Sequence, residues 1–210
     1  KPDRAAIPES PSIDSLLKDY KGDAVVASGE AFDPSPENIE ARAKRTALAN
    51  GFQVALLPKK TRGGSVVLSA TFRFGDEKSL FGRATDASFA GAMLMRGSTA
   101  HTRQQIREEL DRLKARANAG GGATQATLQI ETVRDNLPAT LTLMSEILRE
   151  PAFPAAEFES LKQARLAQIE ESRTDPQTIS ANEFARYMNP YPKGDVRYRE
   201  TLDEEIVELK

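Results

Sequence analysis

The stretch SVVLSATFRFG, residues 65–75, indicates the fold class, because apolar and polar side chains alternate along it. One face carries only apolar side chains, those of Leu68, Ala70, Phe72 and Phe74. Apart from Val67, the side chains between them are polar. A period of two is typical of a β-strand that buries one face and exposes the other. We therefore expect a sheet that is covered on one side.

A hairpin is predicted just before this strand, in ANGFQVALLPKK, residues 49–60. Asn50 and Gly51 form a dipeptide that supplies the positive φ of a tight turn, and the apolar residues after them favour a strand. Strands joined by a tight turn are antiparallel, so a purely parallel sheet is excluded.

Helices are predicted after the strand at 65–75. Residues 84–95 form the first of them. The second begins at an S/T-x-x-Q capping box made by Thr102 and Gln105. Ile106 and Leu110 then repeat at helical spacing, so one face of this helix is expected to pack on the sheet.

The glycines at 120–122 are expected to end the second helix, which would run to about residue 118. The next segment, ATQATLQIETV at 123–133, alternates again and predicts a strand. Apolar spacing predicts further helices over residues 137–148, 158–169, 180–188 and 201–210.

This order of elements predicts an α+β fold with a mainly antiparallel sheet and helices packed on one face. The expected core joins the apolar face of the strand at 65–75 to side chains from the helices. Those side chains are Met93, Ile106, Leu110, Leu141 and Leu148.

Composition excludes several kinds of function. The 210-residue chain has a net charge of −2 with acids and bases interspersed, which does not favour nucleic acid as a partner. It has no cysteine, so disulfides and thiolate chemistry are excluded. Its single histidine, His101, makes a histidine-based metal site within this chain improbable. No apolar run approaches the roughly 18 residues that a transmembrane helix needs.

Several stretches, in one order, resemble the pitrilysin/insulinase peptidases, zinc enzymes with an inverted H-x-x-E-H motif. The resemblance covers about residues 43–210. It is carried by LANGFQVALLPKK, FRFGDEKSLFG, SFAGAMLMRGST, TRQQIREELDRLKARANAGGGATQAT, ILREPAFPAAEFESLKQARLAQIEESRTDP and NPYPKG.

The resemblance implies that this chain has lost the catalytic motif. Ser88 stands at the first histidine, Gly91 at the glutamate and Ala92 at the second histidine. In the motif the histidines bind zinc and the glutamate is the general base, and Ser, Gly and Ala cannot take these roles. Glu170 and Glu171 are candidates for the third ligand, but a carboxylate without two imidazoles does not make a zinc site. We therefore expect no catalytic residue, no metal ligand and no cofactor in this chain.

The resemblance also implies a role. The chain would be a non-catalytic half that helps to enclose and hold peptide substrate, while an upstream H-x-x-E-H half carries zinc and hydrolyses the peptide. Residues 1–42 would be a connector from that half and residues 43–210 the inactive domain. A catalytic half in a separate subunit stays open. A bacterial periplasm or cell envelope is the expected location.

The glycine-rich segment has two interpretations. In the family, a strand edge at this place pairs with the substrate backbone, which would make Asn118, Ala119, Gly120 and Gly121 a substrate contact. The same residues could instead form a flexible turn.

Alternatives to the peptidase role are also open. The domain could be a scaffold that binds a peptide or partner without any proteolysis. Ser88 has no general base at a recognisable spacing, so it is not expected to act as a nucleophile. His101 follows a glycine turn and is expected to be an exposed loop residue.

Overall fold

The computed structural model describes Lys18 and residues 26–210. Much of the predicted connector, residues 1–17 and 19–25, lies outside the described residues. The chain divides into two compact units between Gly63 and Gly64. The predicted division into a connector and a domain at residue 42 stays a prediction.

The first unit contains helix α1 (Pro36–Arg42) and the antiparallel strands β1 (Lys44–Ala47) and β2 (Gln53–Leu56). Gly51 has a φ of +82°, as the predicted turn requires. The hairpin is therefore confirmed. Helix α1 was not predicted; it begins where the Ser35 side chain accepts a hydrogen bond from the Asn38 amide.

The second unit contains a three-stranded sheet and the remaining helices. Its elements are β3 (Ser65–Arg73), α2 (Ala84–Met93), α3 (Arg103–Arg112), β4 (Arg116–Gly121), β5 (Gln125–Val133), α4 (Leu137–Arg149), α5 (Ala155–Ser172), α6 (Pro176–Met188) and α7 (Leu202–Leu209). Short 3₁₀ turns are Arg62–Gly64, Leu94–Arg96 and Arg134–Asn136. The strand order is β3-β5-β4 and both pairs are antiparallel. The predicted α+β class is confirmed.

Helices cover one face of this sheet. The buried cluster joins strand residues to helix residues: Ile106, Leu110, Leu113, Ala115, Ala119, Leu128, Ile130, Leu143, Met144 and Ile147. Leu68 and Ala70 pack against this cluster, whereas Val67 on the opposite face is 77% exposed. The alternation read from residues 65–75 therefore gives the correct buried face of β3.

Three residues of the predicted core are exposed. Phe72 lies at the end of the sheet, opposite Ala126, and Phe74 follows the last residue of β3, so the helices do not cover them. Leu141 is exposed because α4 packs against the rest of the domain through a neighbouring row of side chains. That row is Thr140, Leu143, Met144 and Ile147.

The second predicted helix ends earlier than expected, at Arg112 instead of residue 118. The segment after it forms β4. The resemblance implied a strand edge at residues 118–121, but the local pattern did not, because alanine and glycine have little preference for strands. Its pairing with β5, from Arg116 opposite Glu131 to Gly121 opposite Ala126, determines its conformation. The tertiary context therefore overrides local preference here.

The start of α3 offers a direct test of local stability. The Gln105 amide donates to the Thr102 hydroxyl at 3.3 Å, and the Thr102 amide donates to the Gln105 side chain at 2.8 Å. Thr102→Ala removes the cap acceptor and should lower the free energy of unfolding by about 0.5–2 kcal/mol. Thr102→Ser retains the hydroxyl and should stay near wild type in urea unfolding. Equal losses in the two variants would contradict a capping role.

Candidate functional site around helix α2

Ser88 and Ala92 lie one turn apart on α2 and line an open cleft of about 830 Å³. Helices α5, α6 and α7 and residues 193–200 form the rest of its wall. The floor of the cleft meets a small apolar cluster in which Ile169 of α5 packs with Ile206 and Leu209 of α7. The helix that carries the predicted motif positions therefore faces a cavity, as a catalytic helix would.

Packing fixes α2 beside α5. The rings of Phe89 and Phe158 have centroids 5.5 Å apart, which is a favourable separation for two aromatic side chains. Phe89 also packs against the cluster around Ile169. These contacts orient Ser88 and Ala92 toward the cleft because they lie beside Phe89 on the same helix.

Gly91 is in a different position from the other two motif residues. It is buried and is not part of the cleft wall. A Cβ atom on Gly91 would lie 2.4 Å from the carbonyl oxygen of Gly121 and 2.8 Å from its nitrogen. Such distances are far below van der Waals contact, so only glycine fits here without backbone movement.

The residues at the motif positions do not fit a zinc ion. Ser88 supplies a hydroxyl, and Gly91 and Ala92 supply no side-chain donor, whereas zinc in proteins is bound by His, Cys, Asp or Glu. Within the described residues, no group of three or more such side chains is arranged so that it could hold a metal ion. A zinc-dependent step on this chain is therefore not supported.

Glu170 and Glu171 do not line the cleft, although both lie on α5. Both are exposed, and Glu170 forms an ion pair with Arg173 at 3.2 Å. The polar side chains that α5 does place in the cleft are Arg165, Gln168 and Ser172, and the Gln168 side-chain oxygen accepts a hydrogen bond from Arg165 at 3.0 Å. A neutral amide in this place is a poor metal ligand but can hydrogen bond to a peptide group.

The charged side chains of the cleft are mostly paired. Arg165 of α5 forms an ion pair with Glu205, and Lys193 pairs with Glu204 at 3.0 Å. Glu200 differs, because burial and, next, its hydrogen bond to the Glu208 carboxyl raise its pKa to about 7. The Glu208 carboxyl also accepts a hydrogen bond from the Thr85 hydroxyl, which lines the same cleft. The cleft therefore holds two carboxyl groups in contact with each other.

His101 is not the exposed loop residue that the sequence predicted. It is half-buried, and its Nδ1 lies 2.8 Å from Glu146 Oε1. The same oxygen accepts a hydrogen bond from the buried Ser98 hydroxyl. Both groups bond one carboxylate, so the imidazole does not stand between Ser98 and Glu146 as in a catalytic triad.

The cluster of Ser98, His101 and Glu146 has a structural role. The His101 ring and then the Ser98 hydroxyl lower the pKa of the Glu146 carboxyl below its ordinary value. The cluster ties the turn between α2 and α3 to α4, and the Thr99 amide donates to the Glu150 carbonyl at 2.9 Å beside it. The spacing of these residues in sequence gave no sign of it, since 45 positions separate His101 from Glu146.

Asn118, Ala119, Gly120 and Gly121 form the end of β4, at one side of the sheet. They are ordered strand residues and not only a turn. Asn118 is exposed, Ala119 is buried, and Gly121 touches Gly91 of α2. Their role as a substrate contact stays a prediction.

Sequence reasoning missed Gln168, Glu200 and Glu208. Gln168 lies on α5, Glu208 on α7 and Glu200 in the loop before α7, and only tertiary packing brings the three to one cleft. Within the described residues, no helix is both long and apolar enough to cross a membrane.

Known protein structures share this fold. An inactive domain of a family M16 peptidase from Pseudomonas fluorescens aligns with a TM-score of 0.56 and 20% identity, over 69% of this chain and 35% of that one. A protease from Helicobacter pylori aligns with a TM-score of 0.55 and 17% identity, over 69% of this chain and 35% of that one. The periplasmic protease PqqL from Escherichia coli aligns with a TM-score of 0.61 and 12% identity, over 87% of this chain and 19% of that one.

The chain thus spans about a third or less of the length of these neighbours, and their low identities establish the fold alone. A comparison with curated proteins gives no significant match. A family model described as insulinase, peptidase family M16, matches residues 87–191, which is half of the 210-residue chain and includes α2, the sheet strands β4 and β5, and the cleft-forming helices α5 and α6. The chain therefore belongs to the insulinase peptidase family, M16, as a domain that lacks the H-x-x-E-H motif.

Proposed function

We propose that this chain is the non-catalytic domain of a zinc metalloendopeptidase. It would help to enclose and hold peptide substrate while a half with an intact H-x-x-E-H motif binds zinc and hydrolyses the peptide. That half would belong to the same chain, with residues 1–42 in the connector, or to a partner subunit.

The observation that carries this proposal is the cleft beside α2. Helix α2 carries the motif positions and lines a cavity of about 830 Å³, whereas Ser88, Gly91 and Ala92 lack the donors that zinc requires. The Pseudomonas neighbour, itself called an inactive domain, supports the same reading. A cavity without a catalytic group is consistent with binding that positions a substrate.

The cleft lining suits an extended peptide of varied sequence. Gln168 and Asn182 offer amide donors and acceptors, and Ser88 offers a hydroxyl. The paired charges around them leave little net charge to select a substrate. We therefore propose weakly selective contacts with the peptide backbone.

The test requires the intact protein that joins this chain to the zinc-bearing half. Ala92→Trp fills the cleft from an exposed position on α2 and should raise KM for a quenched-fluorescent peptide by about threefold or more, with zinc content and kcat unchanged. Ala167→Trp, at an exposed position of α5 outside the cleft, is the matched control and should leave KM unchanged.

The isolated chain should bind no stoichiometric zinc and cleave nothing. Equal KM values in both tryptophan variants would show that the cleft does not contact substrate. Absence of an H-x-x-E-H half in the parent protein or its partners would instead favour the scaffold function.

A further inference from the structure

Strand β4 lies at one end of the strand order β3-β5-β4, so its outer edge is a position at which this sheet could accept another strand. Two hydrogen bonds fix which backbone groups lie there: Gly122 N–H donates to the Gln125 carbonyl at 2.9 Å, and Phe74 N–H donates to the Thr124 carbonyl at 3.1 Å. Antiparallel pairing alternates, so even-numbered residues of β4 bond to β5 and odd-numbered residues point away from it. The outward groups are therefore those of Ala117, Ala119 and Gly121.

These outward groups are not open to solvent along the whole strand. Ala119 is only 4% exposed, although its N–H and C=O point away from β5. Gly121 as a residue is exposed, but its outward carbonyl oxygen and nitrogen face the backbone of α2: a Cβ built on Gly91 would lie 2.4 Å and 2.8 Å from them. Leu94 and Met95, in the 3₁₀ turn that continues α2, pack against the same core as Ala117.

We infer that α2 is a built-in cover for the edge of β4, held there by the contact between Gly91 and Gly121. An open strand edge recruits further strands, from a peptide or from a second copy of the chain. Here the helix occupies the position that an added strand would need at Ala119 and Gly121. This inference does not depend on the proposed function, and it limits that function: substrate can pair with this edge only if α2 moves.

The contact needs glycine at position 91. Gly91 allows the helix backbone to approach the strand, whereas a Cβ on Gly121 would meet Gln125 and Ala126 and not the helix. A methyl group at position 91 would lie within 3 Å of three Gly121 backbone atoms. The backbone of a paired strand cannot yield cheaply, so the helix must shift outward.

Amide hydrogen exchange on the 210-residue chain tests the cover. In wild type, the amides of Ala119 and Gly121 should exchange at least about 100-fold more slowly than an unprotected amide, because α2 excludes water from them. Rapid exchange at both amides in the folded chain would overturn the inference, whatever happens in any variant.

Gly91→Ala should speed exchange at both amides by about tenfold or more and lower Tm by several degrees. Gly120→Ala is the control: its new Cβ would meet only the Asn118 side-chain nitrogen, at 3.9 Å, and exchange at Ala119 and Gly121 should stay slow. Unchanged exchange in a folded Gly91→Ala variant would refute the role of the glycine contact. If that variant does not fold, the wild-type measurement still decides whether the edge is covered.

Discussion

Met144→Ala should lower the free energy of unfolding by about 2–5 kcal/mol, because it removes a fully buried side chain and leaves a cavity between α4 and the sheet. Met144 is 0% exposed and belongs to the main core cluster. Leu141→Ala on the same helix is the control. Because Leu141 is 36% exposed, this variant should lose less than about 1 kcal/mol of unfolding free energy. Urea unfolding of the two variants gives both values.

This pair tests the register of α4. The two residues lie three positions apart, so an error of register would exchange their effects. A larger loss of unfolding free energy in Leu141→Ala than in Met144→Ala would favour the core predicted from the sequence and contradict the structure.

Leu110→Ala, at a buried position of α3, should also lower the free energy of unfolding by about 2–5 kcal/mol.

Glu200→Gln should stabilise the chain above pH 7. Burial and the Glu208 carboxyl raise the pKa of Glu200 from its ordinary 4.5 to about 7, so the folded state binds more protons than the unfolded state between these values. The free energy of unfolding therefore falls as the pH rises from 4.5 to about 7, and it levels off above that range. The glutamine side chain can still donate a hydrogen bond to Glu208, and it does not ionise. The fall in unfolding free energy with rising pH should therefore disappear in this variant.

The expected gain at pH 8 is about 1–2 kcal/mol, less than the full pKa difference implies, because Glu200 is only half-buried and solvent screens the repulsion. Near pH 4.5 the gain should become small. Glu171→Gln, an exposed carboxylate on α5, is the control and should show little pH-dependent change. A Glu200→Gln variant that is destabilised equally at both pH values would exclude the raised pKa of Glu200.

Local signals predicted the elements that local interactions determine. The capping box at Thr102 and Gln105 and the turn at Gly51 require only neighbouring residues, and both are present. The alternation in residues 65–75 gave the buried face of β3 because a strand in a one-sided sheet has one apolar side. Strand β4 could not be predicted in this way, since its alanines and glycines form a strand only because β5 pairs with them.

Some residues of the candidate site could be found from the sequence and others could not. Ser88 and Ala92 were identified by resemblance, and the structure places both on one cleft. Gln168, Glu200 and Glu208 reach that cleft through the packing of α5, α7 and the loop before α7, which no sequence spacing encodes. Leu141 was misassigned because α4 carries apolar side chains on two neighbouring stripes, and only contact with the sheet selects one of them.

The contact between Gly91 and Gly121 also bears on how this domain could evolve. Ser88 and Ala92 are exposed and one turn apart, so imidazoles could return to both by substitution without disturbing the core. A carboxylate could not return to position 91, because its Cβ would overlap the backbone of β4. Regaining a general base there would require α2 and β4 to separate first, at a cost in stability that selection would oppose before any activity appeared. Placing the three motif residues at positions 88, 91 and 92 is therefore not expected to be enough to make this domain a catalyst.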